Sequence, residues 1–522
     1  MSHLNEKKTR PTPEDDKVEE VRVESTTHGV GEERIVVTDE DSRRIVRKTD
    51  LYMLTLLCWV YFLQILDKVI IGYAAVFGLK TDAHLVGNQY SSVGSVGYYA
   101  QMAAQLIGAY VLVKFPVKIV MPAIVFLWGC ALCGMAGSTN FTGLMVSRFF
   151  LGWFEALCIP LFSMITASWY RRVEQPMRVA CWYSTNGIAS MIGSLLAYGL
   201  SFIKTGKMHN YQILFTMTGC ITCLTGIAIY FVIDNSPAEA RFLSPEDRLK
   251  AVERLRSNNT GLVAHKFKWR QVLEVCTEIR ALLFFGMTLI VNMGASTSTV
   301  FGPLILQGLV GFGPRQTMLM NIPFGFLQFV IIMFSSWIAV KYKTRSIILA
   351  AAMAPVVAGV ALLYAVPRVE SNTGPLLTGY YLISFLFSAN PLLISWIISN
   401  VAGQSKKATY MALYNFASSF AHIFNPYLFD AKTAPDYLPG LRSVMIVFCV
   451  LILLVGLTAL DLAWLNKRKE HQRVRNGKPA KLKDLSMTHK FDNSETVDDQ
   501  KLGENAFRDM TDKENDEFIY VL

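Results

Sequence analysis

For its first fifty residues the chain is polar, and from there it alternates long apolar runs with short polar breaks. The runs cover 51–73, 89–113, 119–138, 143–168, 179–203 and 211–233, then, after a polar stretch, 281–306, 316–340, 345–366, 375–402, 408–429 and 441–465. At about 1.5 Å per helical residue each is long enough to cross a hydrocarbon core of about 30 Å. The pattern predicts an all-α membrane protein with twelve transmembrane helices in two six-helix bundles. The implied units are an N-terminal tail (1–50), a first bundle (51–233), a linker (234–280), a second bundle (281–465) and a C-terminal tail (466–522). Both tails mix charges with few aromatics and are expected to be disordered. No cleavable leader precedes the first run, so that run is expected to serve as the insertion signal.

Composition agrees, with 52% hydrophobic and 17% charged residues. A net charge of +10 would suggest a nucleic-acid partner in a soluble chain. Here its distribution explains it better. Loops on the side of the two tails carry nineteen Lys and Arg, those on the other side seven, which predicts cytoplasmic termini and a cytoplasmic linker. There is no basic stripe interleaved with aromatics and no zinc-finger spacing, so no nucleic acid is expected. Cys130/Cys133 and Cys220/Cys223 have CxxC spacing, but no second ligand pair lies near either in sequence. They read as small packing residues, with no metal and no cofactor implied.

The chemistry concentrates in residues 144–178, an apolar run that contains Arg148 and Glu155 and ends in a basic cluster. Seven residues at 100° each return these two charges to nearly one helix face, roughly 10 Å apart. Ionisable groups at bilayer depth cost on the order of 2.5–3.5 kcal/mol each and mark pathways and proton relays. Asp67 and Lys68 in the first run bring the intramembrane charge to zero, as pairing would require. An arginine offers a planar donor fork to a carboxylate substrate, whereas a desolvated carboxyl can load and release a proton near neutral pH. Arg148 is therefore the candidate anion ligand and Glu155 the candidate proton carrier, with Asp67 the second. The competing reading is a static ion-pair lock between the first and fourth spans.

Sliding the fifth span onto the eleventh by 229 residues aligns Asn186 with Asn415, Ser190 with Ser419, Tyr198 with Tyr427 and Arg178 with Lys407. This favours two related halves and marks Asn186 and Asn415 as candidate substrate contacts, although interhelical hydrogen bonding suits them equally. His422 stands alone among aromatics. In the linker, Ser244-Pro245-Glu246-Asp247 is a helix start, with a serine cap, proline in the first turn and acids after it.

The segments LDKVIIGYA (66–74), RFFLGWFEA (148–156), SWYRRVEQPMRVA (168–180) and DNSPAEARFLSPEDR (234–248) resemble the anion:cation symporter branch of the major facilitator superfamily. Within that branch the chain is similar to fungal allantoate-permease-like carriers over residues 51–465. The resemblance implies uptake of small carboxylates, ureides or vitamins with protons by alternating access. It also implies anion binding and proton coupling at positions matching Arg148 and Glu155, with a similar role for an acid–base pair matching Asp67 and Lys68. The second member of that pair is often arginine, so Lys68 departs from the pattern. The loop 108–120 lacks the superfamily's usual aspartate, which weakens a drug-efflux reading.

Gly-Lys occurs at 206–207 and 477–478 and is followed by neither Ser nor Thr, so no nucleotide-binding loop of a primary pump is present. No nucleophile–base set at bilayer depth suggests an enzyme. The reading is a monomeric, proton-coupled importer of a small organic anion in the plasma membrane. Efflux of a secondary metabolite is the alternative, and a non-transporting nutrient sensor is disfavoured by tails that look disordered.

Overall fold

The computed structural model describes residues 35–76, 79–86, 89–202, 208–259, 266–310, 314–367, 370–424, 438–482, 484–491 and 506–522. Most of the N-terminal tail lies outside them. Among the described residues the long elements are all helices. The first half contains α1 (Asp39–Thr49), α2 (Thr55–Val76), α3 (Gln89–Lys114), α4 (Val117–Gly137), α5 (Phe141–Glu155), α6 (Cys158–Trp169), α7 (Gln175–Leu200) and α8 (Asn210–Val232). The linker holds α9 (Pro245–Arg256) and α10 (Trp269–Cys276). The second half contains α11 (Ile279–Val310), α12 (Pro314–Tyr342), α13 (Ser346–Ala365), α14 (Thr373–Leu382), α15 (Ala389–Ser399), α16 (Gln404–Phe424) and α17 (Leu438–Arg475). The pairs α5/α6 and α14/α15 each make one span, so the twelve apolar runs become twelve spans.

Nine helical stretches among the described residues are long and apolar enough to cross a membrane. Of the other three spans, α11 counts only as a shorter apolar helix over Ile279–Ala295, while α7 and α16 carry Ser, Asn and Tyr where the others carry Leu and Ile. These two face the opposite half. α7 packs along α12, and α16 along α3. A side chain on Gly187 of α7 would collide with the carbonyl of Gly325 on α12, so the halves meet there backbone to backbone. Within the first half Gly152 of α5 presses on the backbone of Gly97 of α3 in the same way.

The described parts of both tails, residues 35–50, 466–482, 484–491 and 506–522, are ordered against the body. Thr38 caps α1, its hydroxyl accepting from the Asp41 amide at 3.2 Å, with acids in the first turn and Arg47 and Lys48 in the last. Arg44 and Lys48 then pair with Asp247 of α9 at 2.6 and 2.9 Å. Cap, dipole complementarity and buried Ile45 order a segment whose composition alone reads as solvated. At the other end α17 runs ten residues beyond the expected span, and residues 506–522 pack into the tail-side face with Phe518 and Asp512 fully buried. The linker's start signal becomes α9, with Ser244 accepting from the Asp247 amide at 3.2 Å.

A charged cluster around a broken fourth span

The fourth span is not the continuous helix its hydropathy suggests. α5 ends at Glu155, a turn passes through Ala156 and Leu157, and α6 begins at Cys158. Pro160 supplies the reason. It has no amide hydrogen, so the carbonyl of Ala156, four residues back, loses its helical partner. In a membrane such a carbonyl must be satisfied by a neighbouring side chain or by water. Gln105 of α3 donates to it at 2.9 Å and Asn415 of α16 at 2.6 Å. Gln64 of α2 donates to the adjacent Glu155 carbonyl at 3.3 Å. Three amide side chains from three spans, one of them in the second half, converge on this break.

The break holds Glu155 in a buried position, 1% exposed. Its Oε2 accepts from Gln101 of α3 at 3.1 Å and lies 3.9 Å from the Lys68 ammonium. Next to Lys68 in α2, Asp67 is fully buried and accepts from the Trp128 indole of α4 at 2.6 Å. Arg148 is 5% exposed and lies against Gly97, where a Cβ would sit 3.1 Å from its Nε. Among the described residues its Nε and Nη1 have no hydrogen-bond partner. The same holds for Gln64 Oε1, Asp67 Oδ1, Gln105 Oε1 and Glu155 Oε1. Buried polar groups are nearly always partnered, so this concentration of open donors and acceptors singles the cluster out as the candidate site.

The geometry changes several expectations. Arg148, Glu155, Asp67 and Lys68 come together, but in other pairs: Lys68 reaches Glu155, and Asp67 turns to Trp128 rather than to Arg148. A lock through Arg148 is therefore not what the structure shows. Around the cluster the two halves pack on one another along α7/α12 and α3/α16. Asn186 lies apart on α7 beside the Tyr61 hydroxyl. Asn415 donates from its side-chain amide to the Ala156 carbonyl, across the two halves. His422 has company after all, stacking on Tyr98 of α3 at 4.6 Å and donating from Nδ1 to the Ser418 carbonyl at 2.8 Å. The two CxxC pairs, distant in sequence, face each other across α4 and α8, with Cys130 Sγ 3.8 Å from Cys223 Sγ. No grouping among the described residues has metal-ligand geometry. Gln101, Gln105 and Trp128 were overlooked in the sequence; two glutamines four apart in an apolar run were the available signal.

Paired helical halves enclosing a buried polar centre at bilayer depth define a membrane transporter rather than an enzyme. The sequence profile described as Major Facilitator Superfamily matches residues 57–426. The chain belongs to that superfamily. It is 33% identical to an uncharacterized transporter of Schizosaccharomyces pombe, over 95% of this chain and 92% of the relative. It is 29% identical to the allantoate permease of Saccharomyces cerevisiae, over 94% and 88% respectively, in keeping with the resemblance read from its motifs. A thiamine pathway transporter of the same yeast is 26% identical over 92% and 87%. Among solved structures, the proton:xylose symporter XylE superposes with a TM-score of 0.63 at 13% identity, covering 78% of this chain and 95% of the other, a likeness of fold alone.

Proposed function

We propose that the protein is a proton-coupled symporter that imports a small organic anion, of the carboxylate, ureide or vitamin class, across the plasma membrane by alternating access. It works as a monomer with both chain ends in the cytoplasm. The observation that carries this reading is that two Arg148 nitrogens and one oxygen each of Glu155 and Asp67 are buried without partners in the same charged cluster. A guanidinium with free donors is the group that grips a carboxylate, and it stays charged throughout the cycle. A carboxyl closed off from water, with one oxygen open and a lysine near the other, can exchange a proton as the halves move. Similarity to an allantoate permease supports an anion with carboxylate and ureide groups.

The nineteen-to-seven bias of Lys and Arg supports the orientation. The test is uptake of labelled carboxylates, ureides and vitamins at pH 5 and pH 7.5 by cells expressing the chain. Faster concentrative uptake of an anion at pH 5, abolished by a protonophore, is the expected result. Uptake indifferent to the proton gradient, or net export under it, would refute the reading.

A further inference from the structure

The C-terminal tail crosses the tail-side face twice. Residues 484–491 lie on the first half, where Arg171 donates to the carbonyls of Leu485 and Thr488 at 3.3 and 3.1 Å and the Val173 amide donates to Ser486 at 3.1 Å. Residues 506–522 lie mainly on the second half. Asp512 accepts from Arg280 of α11 and from Lys406 of α16, each at 2.7 Å, and from the Tyr520 hydroxyl at 2.8 Å. Val521 pairs through its amide and carbonyl with the Asn400 side chain at 2.7 and 2.9 Å, and its carbonyl also receives the Trp396 indole at 2.9 Å.

Between these anchors one first-half residue reaches across. Arg172 donates to the Ile519 carbonyl at 2.7 Å with its guanidinium 4.1 Å over the Phe518 ring. Arg345 of the second half completes the circuit, donating from its side chain to the Arg172 carbonyl and from its backbone to the Leu522 carbonyl, both at 2.9 Å. Directly at this level Ser399 of α15 donates to Gln175 of α7 at 2.7 Å, so the halves are shut here.

We infer that the C-terminal tail is a releasable strap that holds the tail-side ends of the two halves together and must let go of Arg172 before that face can open. Alternating access requires Arg172 to part from Arg345, and Gln175 from Ser399 of α15. The second-half anchors are buried and ionic, with Asp512 satisfied by two cations, whereas the first-half hold on 518–519 is one carbonyl and one ring. Parting therefore occurs at Arg172, and residues 506–522 travel with the second half.

The test does not depend on knowing the substrate. Ser399→Cys is placed in the full chain with its nine native cysteines replaced by serine, and its labelling by a membrane-permeant maleimide is timed in purified, detergent-solubilised protein. Arg172→Gln and a chain ending at residue 505 are compared in that background. A tenfold or greater rise in labelling rate in Arg172→Gln, with the protein monodisperse, is expected, and the shortened chain should match it where it is also monodisperse. An unchanged rate in monodisperse Arg172→Gln would overturn the strap whatever the shortened chain does. A fall in uptake with unchanged labelling would likewise count against it, without touching the proposed transport function.

Discussion

Asn415 of the second half donates its side-chain amide to the main-chain carbonyl of Ala156 in the first, at 2.6 Å. The bond exists because Pro160 leaves that carbonyl without its helical partner. It ties the break beside Glu155 to the half that must move relative to it, so its making and breaking is coupled to whichever state the transporter occupies. Asn415→Leu should cut maximal uptake by about threefold to tenfold, the range of one net hydrogen bond of about 0.5–1.5 kcal/mol. Pro160→Ala restores the missing amide hydrogen. In that background the penalty for Asn415→Leu should shrink, which a double-mutant cycle on uptake rates measures. Additive effects would show that the carbonyl is not what links the two residues.

Glu155→Gln keeps the shape of the site, including an acceptor for Gln101, but cannot cycle a proton. It should abolish pH-driven accumulation while leaving exchange of labelled for unlabelled substrate intact. Arg148→Ala should lose both, because it removes the anion ligand. The two assays run side by side on each variant separate coupling from binding. Full pH-dependent accumulation by Glu155→Gln would take that residue out of the mechanism.

The spans, their number and the charged residues in them were legible because twenty-residue apolar runs and isolated intramembrane charges are local signals. The break in the fourth span was hidden by the same hydropathy that revealed the span. Pro160 sits within an apolar run, and a proline there can kink a helix or end it, depending on which neighbours rescue the freed carbonyl. Those neighbours, Gln105 and Asn415, come from other spans, and no spacing within 144–178 encodes them. The pairing of Lys68 with Glu155 was equally non-local. Order in the described part of the C-terminal tail was not legible for a related reason: composition averages over a segment, while order at Asp512 depends on meeting Arg280 and Lys406, residues 232 and 106 positions away.

Gly187 and Gly325 set how closely α7 and α12 approach. A side chain at Gly187 has no room, because the nearest atom is backbone of the opposite half and cannot rotate away. Gly187→Val should therefore hold the halves apart, slowing transport by an order of magnitude or more while the protein remains inserted. Spin labels on the two halves, read as distance distributions in the same detergent, should show a shift to longer separations. An unchanged distribution with unchanged transport would mean that the close approach is not needed in the cycle.

The strap makes a prediction about pH whose sign is fixed by its ion pairs. Burial alone would raise the Asp512 carboxyl, but the Arg280 and Lys406 cations outweigh it and hold it well below the usual carboxylate range. Glu278 is likewise held low, its burial outweighed by Arg280 and Lys406 together, and Lys513 approaches it at 3.0 Å. Glu274 and the Tyr410 and Tyr520 hydroxyls face the same cluster. A carboxyl depressed in the folded state contributes stability above its unfolded value, near 3.8 for Asp, that is lost only as pH falls through the lower folded value. Between pH 5 and pH 6 these carboxylates stay ionised and the strap is fully docked; above that, buried Lys407 and Lys469, pushed down by burial to about 7 and about 8, begin to lose their charge in the same cluster. Labelling of Ser399→Cys, corrected for maleimide reactivity with a free thiol, should be flat from pH 5 to pH 6. Uptake that rises toward pH 5 over the same window would then have its source at Glu155 and Asp67 rather than at the tail. A labelling rate that tracks uptake with pH would instead place the proton-sensitive step at the strap.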